Sequence, residues 1–389
     1  MRTPLAVITV LFFVLLGISL VSESDESQPP AAAPVDVIAR RVEQLRGLRF
    51  KELPEPVEVT AAQARREGLE DLDRTYPPEQ RHADETIYKL LGLIDEDADL
   101  RDLAGALFEQ GVAGYYDPRD GRLRVVSAAG TGNRVVTEMT LAHELTHALE
   151  DQQFQFDEPT SSDDRALART ALIEGTATWL MDAYVERHFS SEEALGSLLA
   201  AAFQDTGDLP PFMQAQVLFP YVGGEAFVSD LLRRAGGRWE LVNTAFRLRV
   251  PSSTEQVIHP QAYFDADEPA RVRLRARAVL GRGWHRAAAG TWGEMQTREL
   301  LSFAGGNSAE AAAGWGGDRY ELWQSDERNV LLIRWRWDTA RDQDEFVPAL
   351  REWAASKLDG PHAVVARGGA VTLVVAPDRR TVKRLAAGA

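Results

Sequence analysis

The chain has 389 residues, 44% of them hydrophobic, which is enough for two domains and a sizeable core. Its net charge of −16 argues against nucleic acid as a partner, since that binding needs clustered Lys and Arg. Cysteine is absent, which excludes disulfides, thiolate metal sites and a cysteine nucleophile, so any metal ligands must be His, Asp or Glu.

The chain begins with Arg2 and an uncharged apolar run, "LAVITVLFFVLLGISLV". Its length falls between a signal-peptide core and a comfortable membrane span, so residues 1–22 read as a signal peptide or a membrane anchor. No small-x-small cleavage site stands out, which favours a retained anchor. Residues 23–36, "SESDESQPPAAAP" and its flank, have linker composition. Either reading of the start places the remainder outside the cytoplasm.

From residue 37 to about 110 the pattern predicts helices with one short strand, "PVEVT" at 56–60. Residues 114–126, "GYYDPRDGRLRVV", predict a hairpin around Asp117, Pro118, Asp120 and Gly121. After a Gly-rich stretch comes a helix containing "LAHELTHALEDQQ", then a long helix over about 164–188 and further helices near 193–204 and 222–235. A boundary is expected near 285. Residues 286–389 read as a separate small α+β unit: two strands with a turn, an amphipathic helix and another hairpin.

His143 and His147 are four residues apart, so on a helix both imidazoles leave one face. Zinc accepts imidazole nitrogen and carboxylate oxygen, and a catalytic site keeps three protein ligands and an exchangeable water. The spacing His-Glu-x-x-His supplies two ligands and sets Glu144 beside that water as a general base. The flanks Met139, Thr140, Leu141, Ala142, Leu145, Thr146, Ala148 and Leu149 are uncharged, so the helix is expected to be buried on most sides. There, unpartnered imidazoles and a carboxylate are costly. A metal removes that cost; two satisfied core histidines beside a chance glutamate are the alternative.

The next helix offers a third ligand. Leu167, Ala171, Glu174, Thr178 and Met181 share one stripe, in which Glu174 is the only acid. It needs a cation, either a metal or an arginine. Gly175 and Ala177 are small, and a glycine inside a helix costs about 1 kcal/mol relative to alanine, so close helix packing is expected there.

His143-Glu144-x-x-His147 followed by Glu174-Gly175-x-Ala177 resembles the gluzincin branch of zincin metallopeptidases. The resemblance implies a zincin-like, mostly helical domain over 37–285, one Zn2+ per chain on His143, His147 and Glu174, and hydrolysis of peptide bonds in a peptide or protein substrate. The hairpin resembles the zincin edge strand, along which an extended peptide binds by β-augmentation. The order "GYYDPRDG", "AHELTHALEDQQF", "IEGTA", "STEQVIHP" and "GWGGDRY" is similar to a group of exported, little-characterised proteins read as metallopeptidases. Two features depart from thermolysin-like enzymes: the stretch between His147 and Glu174 is longer, and Thr178 stands four residues after Glu174 where those enzymes have Asp. The groups supporting the ligands must therefore differ.

Asp151, one turn past His147, reads equally as a partner for a ligand histidine or as a solvated helix-end acid. Tyr221 and His259 are candidates for steadying the oxyanion. His82, His188, His285 and His362 fit no pattern and read as structural or exposed. Two functions follow from these residues. One is an exported or membrane-anchored zinc peptidase; the other is a cell-surface binding or structural protein that keeps the fold and hydrolyses nothing. The intact Glu144 favours the first, because a pure binding site needs no base.

Overall fold

The computed structural model describes residues 32–110, 114–126, 134–156, 163–193, 209–303, 308–326 and 328–388. The expected N-terminal anchor and the helix expected near 193–204 lie essentially outside these residues. Among the described residues no helix is long and apolar enough to cross a membrane.

The architecture is α+β, with two separate sheets. Helix α1 (Val35–Arg46) precedes strand β1 (Pro56–Val59), and helices α2 (Ala61–Thr75), α3 (Pro78–Leu90) and α4 (Leu100–Gln110) follow. The start of α2 is fixed by a capping box in which Thr60 and Gln63 satisfy each other's backbone N–H groups. Strands β2 (Gly114–Asp117) and β3 (Arg122–Val126) form the expected hairpin, turning through Gly121 at φ 68°. β1 joins β3 in parallel, so the sheet order is β1-β3-β2, with β2 at one edge.

Helix α5 (Arg134–Phe154) carries the histidine motif, and α6 (Asp163–His188) carries Glu174. Every residue of α5 from Met139 to Glu150 is buried, as its uncharged flanks required. Ile38 and Val42 of α1, Leu123 of β3, and Leu180 and Tyr184 of α6 pack around Leu141, Leu145 and Leu149.

Helix α7 runs from Pro211 to Arg234, well before the expected start near 222, and it continues through Pro220. A proline inside a helix costs about 3 kcal/mol, and here the close contact of α7 with α6 offsets that cost. At the crossing, a Cβ on Gly175 would lie 2.1 Å from the Gly224 carbonyl carbon, so only glycines allow this approach. The small residues after Glu174 therefore serve the close packing that their sequence implied. The helices α8 (Glu240–Arg247), α9 (Thr254–Ile258), α10 (Pro260–Asp265) and α11 (Ala276–Leu280) complete this half.

Strand β4 (His285–Gly290), α12 (Gly293–Ser302) and α13 (Ser308–Ala312) lead into β5 (Trp315–Ser325) and β6 (Arg328–Trp337). Helix α14 (Ala340–Lys357), β7 (His362–Arg367), β8 (Ala370–Val375) and α15 (Arg379–Gly388) follow. The five strands are antiparallel in the order β4-β5-β6-β8-β7. Buried side chains connect the regions on either side of residue 285: Leu72, Ile87, Phe108 and Tyr115 share one apolar cluster with Trp315, Trp335, Phe346 and Trp353.

Candidate metal centre

The face of α5 that looks toward α6 presents His143 and His147, and Glu174 meets them from the middle of α6. Glu174 Oε2 is 3.3 Å from His143 Nε2 and 3.4 Å from His147 Nε2, and the two Nε2 atoms are 2.8 Å apart. Donors held tetrahedrally at zinc's usual distance of about 2.0–2.1 Å would be about 3.3 Å from each other. Both separations to Glu174 match. The shorter one is the length of an N–H···N hydrogen bond between imidazoles.

All three side chains are buried, at 0%, 1% and 2% exposure for His143, His147 and Glu174. Burial and the charge of His147 push His143 down to about 3. His147 moves up despite burial, because Glu174 faces it. Against the upward push of burial, His147 and His143 pull Glu174 down to about 2. The lowered values of His143 and Glu174 favour a neutral imidazole beside an ionised carboxylate, the forms in which both can ligate a divalent cation.

Glu144 is fully buried beside the group. Its Oε2 accepts the backbone N–H of Tyr116 on the edge strand β2 at 2.8 Å, and its Oε1 is buried without a partner. Burial raises this carboxyl to about 8, with Glu174 adding to the shift and His147 opposing it. A cavity of about 20 Å³ bordered by Gly114, Thr140 and Glu144 is large enough for one water, which needs roughly 10–15 Å³. Gly114 keeps the edge strand close, because a Cβ there would lie 2.9 Å from the Arg124 carbonyl oxygen.

Tyr221 lies inside α7, not ahead of a helix. Its hydroxyl hydrogen-bonds Glu174, and its ring centroid is 6.3 Å from that of His143. His259 is placed elsewhere, between α9 and α10, where its Nε2 sits 2.8 Å from Glu294 Oε1. The hydrogen bond to Glu294 raises His259 above its ordinary value, with burial opposing. A raised folded-state pKa stabilises below the unfolded value, near pH 6.5, and that contribution fades as pH climbs through the folded value. An NMR titration should show the His259 midpoint above 6.5 and its return toward that value in Glu294→Gln; an unchanged midpoint would dissolve the pair.

Asp151 does not support a ligand histidine. Its carboxylate accepts the Tyr116 hydroxyl at 3.0 Å and the Phe156 N–H at 3.1 Å, which ties the edge strand to the end of α5. His82 and His285 are exposed, and His188 and His362 are half-buried.

Sequence reasoning passed over Glu150. It is fully buried on α5 and receives the Arg46 guanidinium of α1 at 2.6 Å, and its charge acts on His147. Arg46 also donates to Asn243 at 2.8 Å and lies 4.2 Å from the Trp239 ring centroid. An acid in the same uncharged helix as Glu144 was a signal that a cation must reach it. Arg46→Ala strands that acid, and removing one partner of a buried pair commonly costs about 3–5 kcal/mol. Urea unfolding of Arg46→Ala and of the double variant with Glu150→Gln checks this: the double variant should recover part of the loss, and additive losses would mean the two do not interact.

Residues 279–386 match the family model described as a domain of unknown function, DUF8575, which covers the five-stranded sheet and its helices. No curated protein matches the chain.

Proposed function

We propose that this protein is a zinc-dependent peptidase of gluzincin type, with His143, His147 and Glu174 holding the metal. The observation that carries the reading is the placement of Glu144. It touches none of the three donors through a hydrogen bond; one oxygen is anchored to the edge strand, the other is buried without a partner, and the residue borders a cavity of water size. When bound, zinc supplies Lewis acidity that polarises a carbonyl and acidifies water.

The residues of the chain do the rest. Glu144 takes a proton from the attacking water and later delivers it to the leaving amine. Burial raises the affinity of Glu144 for protons, which favours proton transfer to it. Tyr221 is the hydroxyl within reach of the group and is the donor for the developing oxyanion. His259 is engaged by Glu294 and is assigned no part in this step. The hydrophobic start of the chain is read as the export signal or anchor that delivers this activity outside the cytoplasm.

Digestion of a broad peptide library by the zinc-loaded chain tests the proposal. Cleavage should stop with a chelator and return with zinc. A second reading is favoured by the burial of all four side chains, which suits a closed metal site in a binding protein. A zinc-loaded chain that cleaves nothing in the library establishes that second reading.

A further inference from the structure

Two stretches that the peptidase reading leaves unused, 253–260 and 314–320, come together around Asp338. Glu255 belongs to the first. In the second, the Gly314 carbonyl accepts the Asp338 N–H at 2.9 Å, and Gly316 approaches so closely that a Cβ there would lie 2.6 Å from Asp338 Oδ1. Carboxylate oxygens of Glu255, Asp267 and Asp338 lie within 4.8 Å of one another. Glu255 sits on α9, Asp267 follows α10 and Asp338 follows β6, so the cluster spans the helical half and the five-stranded sheet.

Solvated acids cluster on many surfaces without a ligand. What sets this group apart is the buried carboxylate at its base. Glu255 is only 5% exposed, and among the described residues its carboxylate has no hydrogen-bond or ion-pair partner. Behind it Glu294, 1% exposed, gives one oxygen to His259, while its Oε2 is buried and unpartnered. Burial acts on Glu255 first, followed by the charges of Glu294, Asp338, Asp267 and Asp164; every one is acidic, and together they raise it to about 9. An unpartnered carboxylate on so buried a residue, with four acidic groups acting on it, is costly unless it holds a proton or a cation joins it.

We infer that Glu255, Asp267 and Asp338 form a binding site for a hard divalent cation of the calcium type. The donor set is all oxygen, which suits calcium and magnesium and lacks the imidazoles that zinc prefers. Calcium binds oxygens at about 2.3–2.6 Å, so its ligands stand at most about 5 Å from one another, and the three carboxylate oxygens here lie within 4.8 Å. Magnesium demands a tighter octahedron. Asp267 and Asp338 are exposed, which leaves positions for water in the remaining coordination. An ion here ties α9 and the turn after α10 to the end of β6, joining the two halves of the molecule.

The test is calorimetric titration of calcium chloride into the chelator-treated full chain, with melting temperature read alongside. The wild type should take up one calcium per chain at micromolar to millimolar concentration, and its melting temperature should rise by roughly a few degrees at saturation. Asp338→Asn, at an exposed position, and Glu255→Gln should each weaken this uptake at least about tenfold. His147→Ala should keep it in full, which separates this site from the histidine group whatever becomes of the zinc reading. Absence of saturable uptake by the wild type, unchanged affinity in Asp338→Asn and Glu255→Gln, or loss of uptake in His147→Ala would each overturn the assignment.

Discussion

Replacing Glu144 with glutamine is expected to lower peptide turnover by at least about 10²–10⁴-fold, with zinc content and melting temperature close to those of the wild type. The carboxamide is the same size and can still accept the Tyr116 N–H through its oxygen, so the anchoring to β2 survives. Its NH2 replaces the oxygen that is buried without a partner, and it has no lone pair with which to take a proton. Burial makes charge costly at this position, so a neutral carboxamide is accommodated without loss of stability. Steady-state kinetics and elemental analysis on the same preparation check the outcome. Turnover equal to the wild type would remove Glu144 from the chemistry, and loss of zinc would make it a ligand.

Gly224→Ala is expected to cost about 3 kcal/mol or more in denaturant unfolding and to weaken zinc binding with it. Overpacked methyl groups cost roughly 1–3 kcal/mol where side chains can move aside. Here a Cβ would lie 1.9 Å from the Ala171 carbonyl oxygen, which is backbone in the turn of α6 that precedes Glu174. Relief requires the helices to separate, and that carries Glu174 away from His143 and His147. Gly175→Ala meets the same obstacle from the other helix, 2.1 Å from the Gly224 carbonyl carbon. If Gly224→Ala unfolds within about 0.5 kcal/mol of the wild type, the close crossing does not hold the third donor in place.

The sequence made the site legible where its logic was local. The spacing of His143 and His147 follows from one helical turn, and Glu174 stood out as the acid on an apolar stripe; both inferences need only helical periodicity. The hairpin at 114–126 was legible from Asp117, Pro118 and Gly121, and the strands within 315–337 and 362–375 from their alternation, whereas the core they share with residues before 285 was not. The parallel pairing of β1 with β3 was not, because it depends on contacts between distant segments. Pro220 made α7 look shorter than it is: a proline ordinarily ends a helix, and only the packing against α6 carries this one through. The partners of Asp151, Glu150 and His259 were hidden for the same reason. Arg46, Tyr116 and Glu294 reach them from other elements, and no spacing rule connects residues so far apart.

The central claim is that His143, His147 and Glu174 together bind one metal ion, and elemental analysis of the purified chain after dialysis tests it most directly. About one zinc per chain is expected in the wild type, with the amount falling sharply in His143→Ala, His147→Ala and Glu174→Ala alike. A chain that retains no zinc when refolded in its presence, or a variant among the three that keeps the full amount, would contradict it.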